Sequence, residues 1–195
     1  LWLAYSMVGP EKIEHMLPPS LKLANVRIFD SDVPEPKLLF NSYDVDSQWM
    51  HGHRLEIVTI AKTRANNTLH FVVLDCVSNT LRWDPVDGVQ LPNALCSLRA
   101  DGDEYDLNIR ASCCNKGDLF RISGRKADSV RISKQFSVVP NYRCYFRQVG
   151  TPYGMRFDES VVSEDARRLS VDRATLQNTL WAAFRRPTPS HAFVY

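Results

Sequence analysis

The stretch RLEIVTIAKTRANNTLHFVVLDC, Arg54 to Cys76, decides how the rest of the chain is read. Two runs rich in Ile, Val, Leu and Phe flank the polar RANN, Arg64 to Asn67, and this pattern predicts antiparallel strands over Arg54–Thr63 and Leu69–Cys76. Alternate residues of a strand point to opposite faces. One face of the first run therefore carries Arg54, Glu56, Val58, Ile60 and Lys62; the other, with the preceding HGH, carries His51, His53, Leu55, Ile57, Thr59 and Ala61. The second run is apolar on both faces, which predicts cover on both sides. A tight turn would bring Asp75 close to Glu56 across the pair. Two such carboxyls do not both ionise at neutral pH without a cation, so one pKa should rise unless Arg54 compensates. That cluster is a candidate for acid–base chemistry; the plainer reading of the same residues is a salt bridge at a strand end, or Asp75 hydrogen-bonded into the loop SNTLRWDP.

Outward from this pair the punctuation is that of a β-rich fold with a few short helices. Trp2–Met7 reads as a strand, Glu11–Leu17 as a short helix stopped by Pro18 and Pro19, and Leu21–Phe29 and Leu38–Val45 as further strands. Leu107–Ser112, Leu119–Ser123 and Val130–Val139 continue the series, and the echo of FRISG in VRISK suggests a hairpin. Between Ser163 and Phe184 the spacing of Leu176, Leu180, Trp181 and Phe184, with Asp172 as a cap, predicts a helix, and HAFVY a last strand. No Gly-, Ser- or Pro-rich linker divides the chain, so residues 1–195 are expected to form a single domain.

Composition narrows the partners. Of 195 residues 44% are hydrophobic and 24% charged, and the formal net charge of +2 is spread along the chain, so no nucleic-acid partner is expected. No apolar run approaches the ~18 residues of a membrane span, so no membrane partner is expected either. The chain does not begin with methionine, which leaves a removed leader open. Five cysteines without a CxxC spacing read as free thiols in a reducing compartment, and a cytoplasmic location is the expectation. GxGxxG, P-loop and GxSxG patterns are absent, so no cofactor is expected. His51 and His53 lie two apart, but no third ligand is in sight and no metal is expected. Further candidates to line a site are Arg143, Tyr145 and Arg147 in NYRCYFR, which would hold a carboxylate, and Trp83 near a turn.

The order MLPPSLKLA, PKLLFNSYDV, RLEIVTIAK, HFVVLDCVSN, GVQLPNAL, spanning roughly Leu1 to Ala94, resembles the acetoacetate decarboxylase-like superfamily. The resemblance implies a β-rich α+β fold: a single-domain antiparallel β-barrel with a central cavity and a few short helices. It also implies that Glu56 faces that cavity. The function it implies is a small-molecule enzyme acting on a keto or hydroxy acid, with lyase, dehydratase or cyclase chemistry. Glu56 would be the acid or base, Asp75 its neighbour, Arg54 or Arg143 the carboxylate holder and Lys62 a candidate amine. The decarboxylases of the family place a Schiff-base lysine in a Gly-Phe-Pro-Lys-Lys loop. Here Asn93 and Ala94 follow Pro92 in GVQLPNAL, so this chain is a relative lacking that lysine, and decarboxylation by the family route is not expected. Two alternatives stay open: a non-catalytic ligand-binding barrel, and a scaffold subunit of a larger assembly. Association into a homo-oligomer is allowed by either.

Overall fold

The structure, a computed structural model, describes residues 1–46, 51–84, 88–111, 118–137, 142–144, 153–155, 165–177 and 179–194. The chain begins with strand β1 (Trp2–Ser6), the short helix α1 (Pro10–Glu14) and strand β2 (Leu21–Leu23). The long strands β3 (Lys37–Asp46), β4 (His51–Thr63) and β5 (Leu69–Ser78) follow. Next come the small pair β6 (Arg82–Asp84) and β7 (Gly88–Gln90), then β8 (Ala94–Asp101), β9 (Glu104–Ala111) and β10 (Asp118–Arg131). Helix α2 (Lys134–Ser137), β11 (Tyr142–Cys144), β12 (Tyr153–Met155), β13 (Asp165–Leu176), a 3₁₀ turn over Leu180–Phe184 and β14 (His191–Val194) complete it.

The central pair forms as its sequence predicts. β4 and β5 run antiparallel around a turn in which Asn67 takes a left-handed φ of 57° and Asn67 N donates to Thr63 O. Asparagine tolerates that conformation better than most side chains, which is why RANN turns where it does. β3 lies on the other side of β4, and the sheet continues in the order β12-β11-β5-β4-β3-β1-β14-β13-β10-β9-β8, with β2 added beside β4. All neighbours are antiparallel except β11, which runs parallel to β5. The expected barrel is therefore corrected: the twelve-stranded sheet has two ends, and no ladder joins β12 to β8 among the described residues.

The sheet curls so that its two arms pack against each other. A first cluster joins Leu3, Phe40, Leu55, Ile57 and Val72 to Leu107, Ile109, Phe120 and Leu169 from the other arm. Phe40 and Phe120 stack across it with ring centroids 6.0 Å apart. Among the described residues, side chains of both arms meet in this cluster, where a central cavity was expected. A second cluster on the opposite face contains Trp2, Leu39, Val58, Ile60, Phe71 and Phe193, covered by the segment Ala24–Phe29 and by Ile132 and Phe136. Strand β4 feeds both, its odd residues the first cluster and its even residues the second. Each large apolar side chain so buried contributes roughly 1.5–3 kcal/mol.

Three sequence expectations fail, each for a local reason. FRISG and the VR of VRISK lie on one continuous strand, β10, which ends at Arg131, and not on two arms of a hairpin. Leu21–Phe29 is a strand only as far as Leu23, because Asp32 Oδ2 accepts from the backbone N–H groups of Ile28 and Phe29, at 3.0 and 2.8 Å. Those donors are then lost to a ladder. The stretch read as a helix, Ser163 to Phe184, is strand β13 from Asp165 to Leu176 and a 3₁₀ turn from Leu180 to Phe184. The ladder of β13 with β10 shifts register between Ser123 and Gly124 and again between Lys126 and Ser129, so its buried Ala166, Leu169 and Leu176 do not alternate strictly. At the first shift a side chain on Gly124 would collide with the carbonyl of Ser170, so glycine is what lets the strands approach there.

Candidate acid–base site on the outer face of the sheet

Glu56 owes its position to register. It stands opposite Asn41 of β3 on one side and Cys76 of β5 on the other, on the face that carries the second cluster. Tyr43, one step along the same face, donates its hydroxyl to Glu56 Oε1 at 2.7 Å. Glu56 Oε2 is buried and finds no hydrogen-bond partner among the described residues. The residue as a whole is 5% exposed. Burial disfavours the carboxylate and pushes the pKa up from 4.5 to about 7, an effect that the Tyr43 hydrogen bond and the charge of Arg54 only partly offset. Burial, and then the adjacent Glu56, raise Tyr43 far above the ordinary phenol range, so it stays a donor.

Arg54 sits two residues away on the same face, opposite Tyr43 and Ser78. Its guanidinium is anchored by Nε to Thr80 Oγ1 at 3.2 Å and Nη2 to the Leu81 carbonyl at 2.8 Å. Asn93, the residue after the proline of GVQLPNAL, accepts from Ser78 N through Oδ1 at 2.9 Å. An amide fixed to the backbone of β5 thus stands close to the Cys76–Ser78 stretch beside Glu56.

Asp75 does not join Glu56, and the proximity expected from the turn is corrected. The ladder shifts between Ile57 and Val58, so Asp75 lies opposite Ile57 and Cys76 takes the place opposite Glu56. Asp75 therefore belongs to the other face, where Oδ2 accepts from Trp181 Nε1 at 2.8 Å and Oδ1 from Cys76 N at 2.8 Å. Lys62 shares the face of Glu56 but stands at the far end of β4, opposite Leu69 and Lys22. At ~3.3 Å per residue the separation is roughly 20 Å, too far for one site. Trp83 lies in β6 opposite Val89, and Arg143 in β11 opposite Val72. Tyr145 and Arg147 lie outside the described residues.

The two histidines of HGH point to aspartates, not to each other. His51 Nδ1 meets Asp46 Oδ1 at 2.6 Å in an exposed pair. His53 is buried, with Nδ1 at 2.7 Å from Asp44 Oδ1 and Nε2 at 2.5 Å from Ser42 Oγ. Tyr43 and Ser42 escaped the sequence reading because their significance lies in the β3–β4 register. The alternation of FNSYDVD against HGHRLE, aligned through the loop between them, was the signal available.

The strand order of this curled, largely antiparallel sheet defines the class: the chain has the acetoacetate decarboxylase-like fold. It superposes on acetoacetate decarboxylase of Legionella pneumophila with a TM-score of 0.56 at 12% identity, over 93% of this chain and 72% of that one. The enduracididine biosynthesis enzyme MppR complexed with pyruvate gives 0.56 at 13% identity, over 98% of this chain and 82% of that one. The same enzyme with the condensation product of pyruvate and imidazole 4-carboxaldehyde gives 0.52 at 11%, covering 98% and 81%. No family model matches the sequence, and no curated protein sequence matches it.

Proposed function

We propose that the chain is a small-molecule enzyme that moves a proton on a keto or hydroxy acid, with Glu56 as acid and base. The observation that carries this reading is the buried Glu56 carboxyl, one oxygen held by Tyr43 and the other without a partner among the described residues, with a pKa near 7. A group so placed is present in both protonation states at neutral pH, the condition under which one carboxyl serves both as proton acceptor and as donor. Arg54 is the candidate to hold the substrate carboxylate. Support for the substrate class comes from the fold neighbour that is complexed with pyruvate. The step is α-proton removal by the Glu56 carboxylate, the electron pair passing to the carbonyl oxygen, followed either by return of the proton from Glu56 to carbon or by its delivery to a β-hydroxyl, which leaves as water as the electron pair returns to form the carbon–carbon double bond.

The test is hydrogen–deuterium exchange at the carbon next to the carbonyl, followed by proton NMR in D₂O with pyruvate and longer 2-keto acids. Exchange above the buffer rate that falls ~10²–10⁴-fold in Glu56→Gln supports the proposal. A wild-type rate equal to buffer across the panel refutes it. The meeting of side chains from both arms in the first cluster and the backbone-bound Asn93 favour a second reading, a ligand-holding or scaffold protein without turnover. A thermal shift with keto acids and no exchange would mark that outcome.

A further inference from the structure

A polar assembly apart from the Glu56 site lines a cleft of about 470 Å³ between β13, β14 and the loop after Phe29. Asp32, Ser190 and His191 all contribute to its wall, with Phe29, Leu169 and Ala192 as apolar surface and Arg168 at 5.2 Å over the Phe29 ring. His191 Nε2 is 3.0 Å from Asp32 Oδ1, and its Nδ1 is 3.0 Å from Ser190 Oγ. A carboxylate only accepts, so the hydrogen on the ring belongs to Nε2 and Nδ1 presents its lone pair to the serine. Asp32 is itself fixed, since its other oxygen takes the two backbone N–H groups of Ile28 and Phe29. Lys37 is 3% exposed and donates from Nζ to Ser190 Oγ at 3.0 Å, while its charge is balanced by Glu35 at 2.5 Å. Ser190 itself is exposed, and its hydroxyl has two acceptors within reach, Nδ1 and the carbonyl of Ala4 at 2.9 Å.

We propose that Ser190, His191 and Asp32 form a second reactive site, an acyl-transfer relay that takes esters of short apolar acids. A hydroxyl is a weak nucleophile until an adjacent base removes its proton and a third group orients that base, and the three residues stand in that order. The Ser190 proton passes to His191 Nδ1 as Oγ bonds to the ester carbonyl carbon. The C–O bond to the alcohol breaks, and the alcohol leaves with the proton from Nδ1. Water then releases the acid from Ser190 by the same route, its proton going to Nδ1 and returning to Oγ. Lys37 stabilises negative charge at Oγ, and Phe29 receives the acyl chain. Burial holds the His191 pKa below its ordinary value despite Asp32, which keeps the ring neutral and able to act as base.

The test uses the full chain with a fluorophosphonate and, separately, p-nitrophenyl acetate, read by intact mass and peptide mapping. The expected result is one adduct on Ser190 of the wild type, absent in Ser190→Ala, with labelling in His191→Gln at least ~10²-fold slower. Peptide mapping of the wild type needs no variant to fold, and Ser190→Cys, labelled by iodoacetamide at the same position, checks access to the cleft. No adduct on Ser190, or labelling of His191→Gln at the wild-type rate, overturns the proposal.

Discussion

The two faces of the β3–β4 pair treat buried polarity in opposite ways. On the inner face His53 uses both ring nitrogens, one on Ser42 and one on Asp44, and the chain ends at a carboxylate that is 72% exposed. On the outer face Glu56 has one oxygen on Tyr43 and one without a partner among the described residues. A closed network of this kind tightens the fold, whereas a buried acceptor left open is costly to keep and is where a substrate or proton gains most. Residues three positions apart on a single strand, and therefore on opposite faces, serve stability and chemistry separately.

The largest expected effect breaks this comparison on the outer face. Glu56→Gln lowers keto-acid proton exchange by ~10²–10⁴-fold while the far-UV spectrum stays that of the wild type. On the inner face the consequence is reversed: His53→Ala costs roughly 3–4 kcal/mol in urea denaturation, from the cavity and the stranded Ser42 hydroxyl together, with exchange per folded molecule retained. Next in size is the pH dependence of stability. The folded-state pKa of Glu56, about 7, lies above its ordinary 4.5, so the native state binds the proton more tightly. That stabilisation is present in full below pH 4.5 and lost as pH rises through about 7. Between about pH 5 and pH 8 the wild type should lose roughly 2–3 kcal/mol relative to Glu56→Gln, with a slope approaching about 1.4 kcal/mol per unit between the two pKa values. Denaturation midpoints that move in parallel would refute this.

Smaller effects sharpen the same boundary. Trp181→Phe removes the donor to Asp75 and costs about 1.5–3 kcal/mol, with proton exchange unchanged, if Asp75 is structural as its hydrogen bonds indicate. Lys62→Ala should change stability by less than about 0.5 kcal/mol and exchange not at all, and borohydride reduction with pyruvate should leave no adduct on Lys62. A reduced adduct lost in Lys62→Ala would restore the amine route that the distance argues against.

Parity was the most legible feature of the sequence. Arg54, Glu56, Val58, Ile60 and Lys62 do share a face, because nothing interrupts β4. What parity could not reveal is where a partner strand slips. One extra residue on β5 moved Asp75 off the Glu56 face, and one extra residue on β13, between Val171 and Arg173, broke the alternation that would have marked that stretch as a strand. Leu176, Leu180, Trp181 and Phe184 then fell on a helical period by coincidence, being in fact the end of a strand and one 3₁₀ turn. Such irregularities are set by contacts between strands distant in sequence, here the close approach of Gly124 to Ser170, and they leave no local mark. The order of segments was enough to suggest the fold, while the packing of the two arms against each other depends on which side chains meet, as Phe40 and Phe120 do.

The central claim is that Glu56 exchanges its proton near neutrality. Its side-chain carboxyl carbon, labelled with ¹³C and assigned by its loss in Glu56→Gln, would be followed by NMR across a pH titration. An inflection near pH 7 is the predicted result, and one near the ordinary glutamate value of 4.5 would contradict the account.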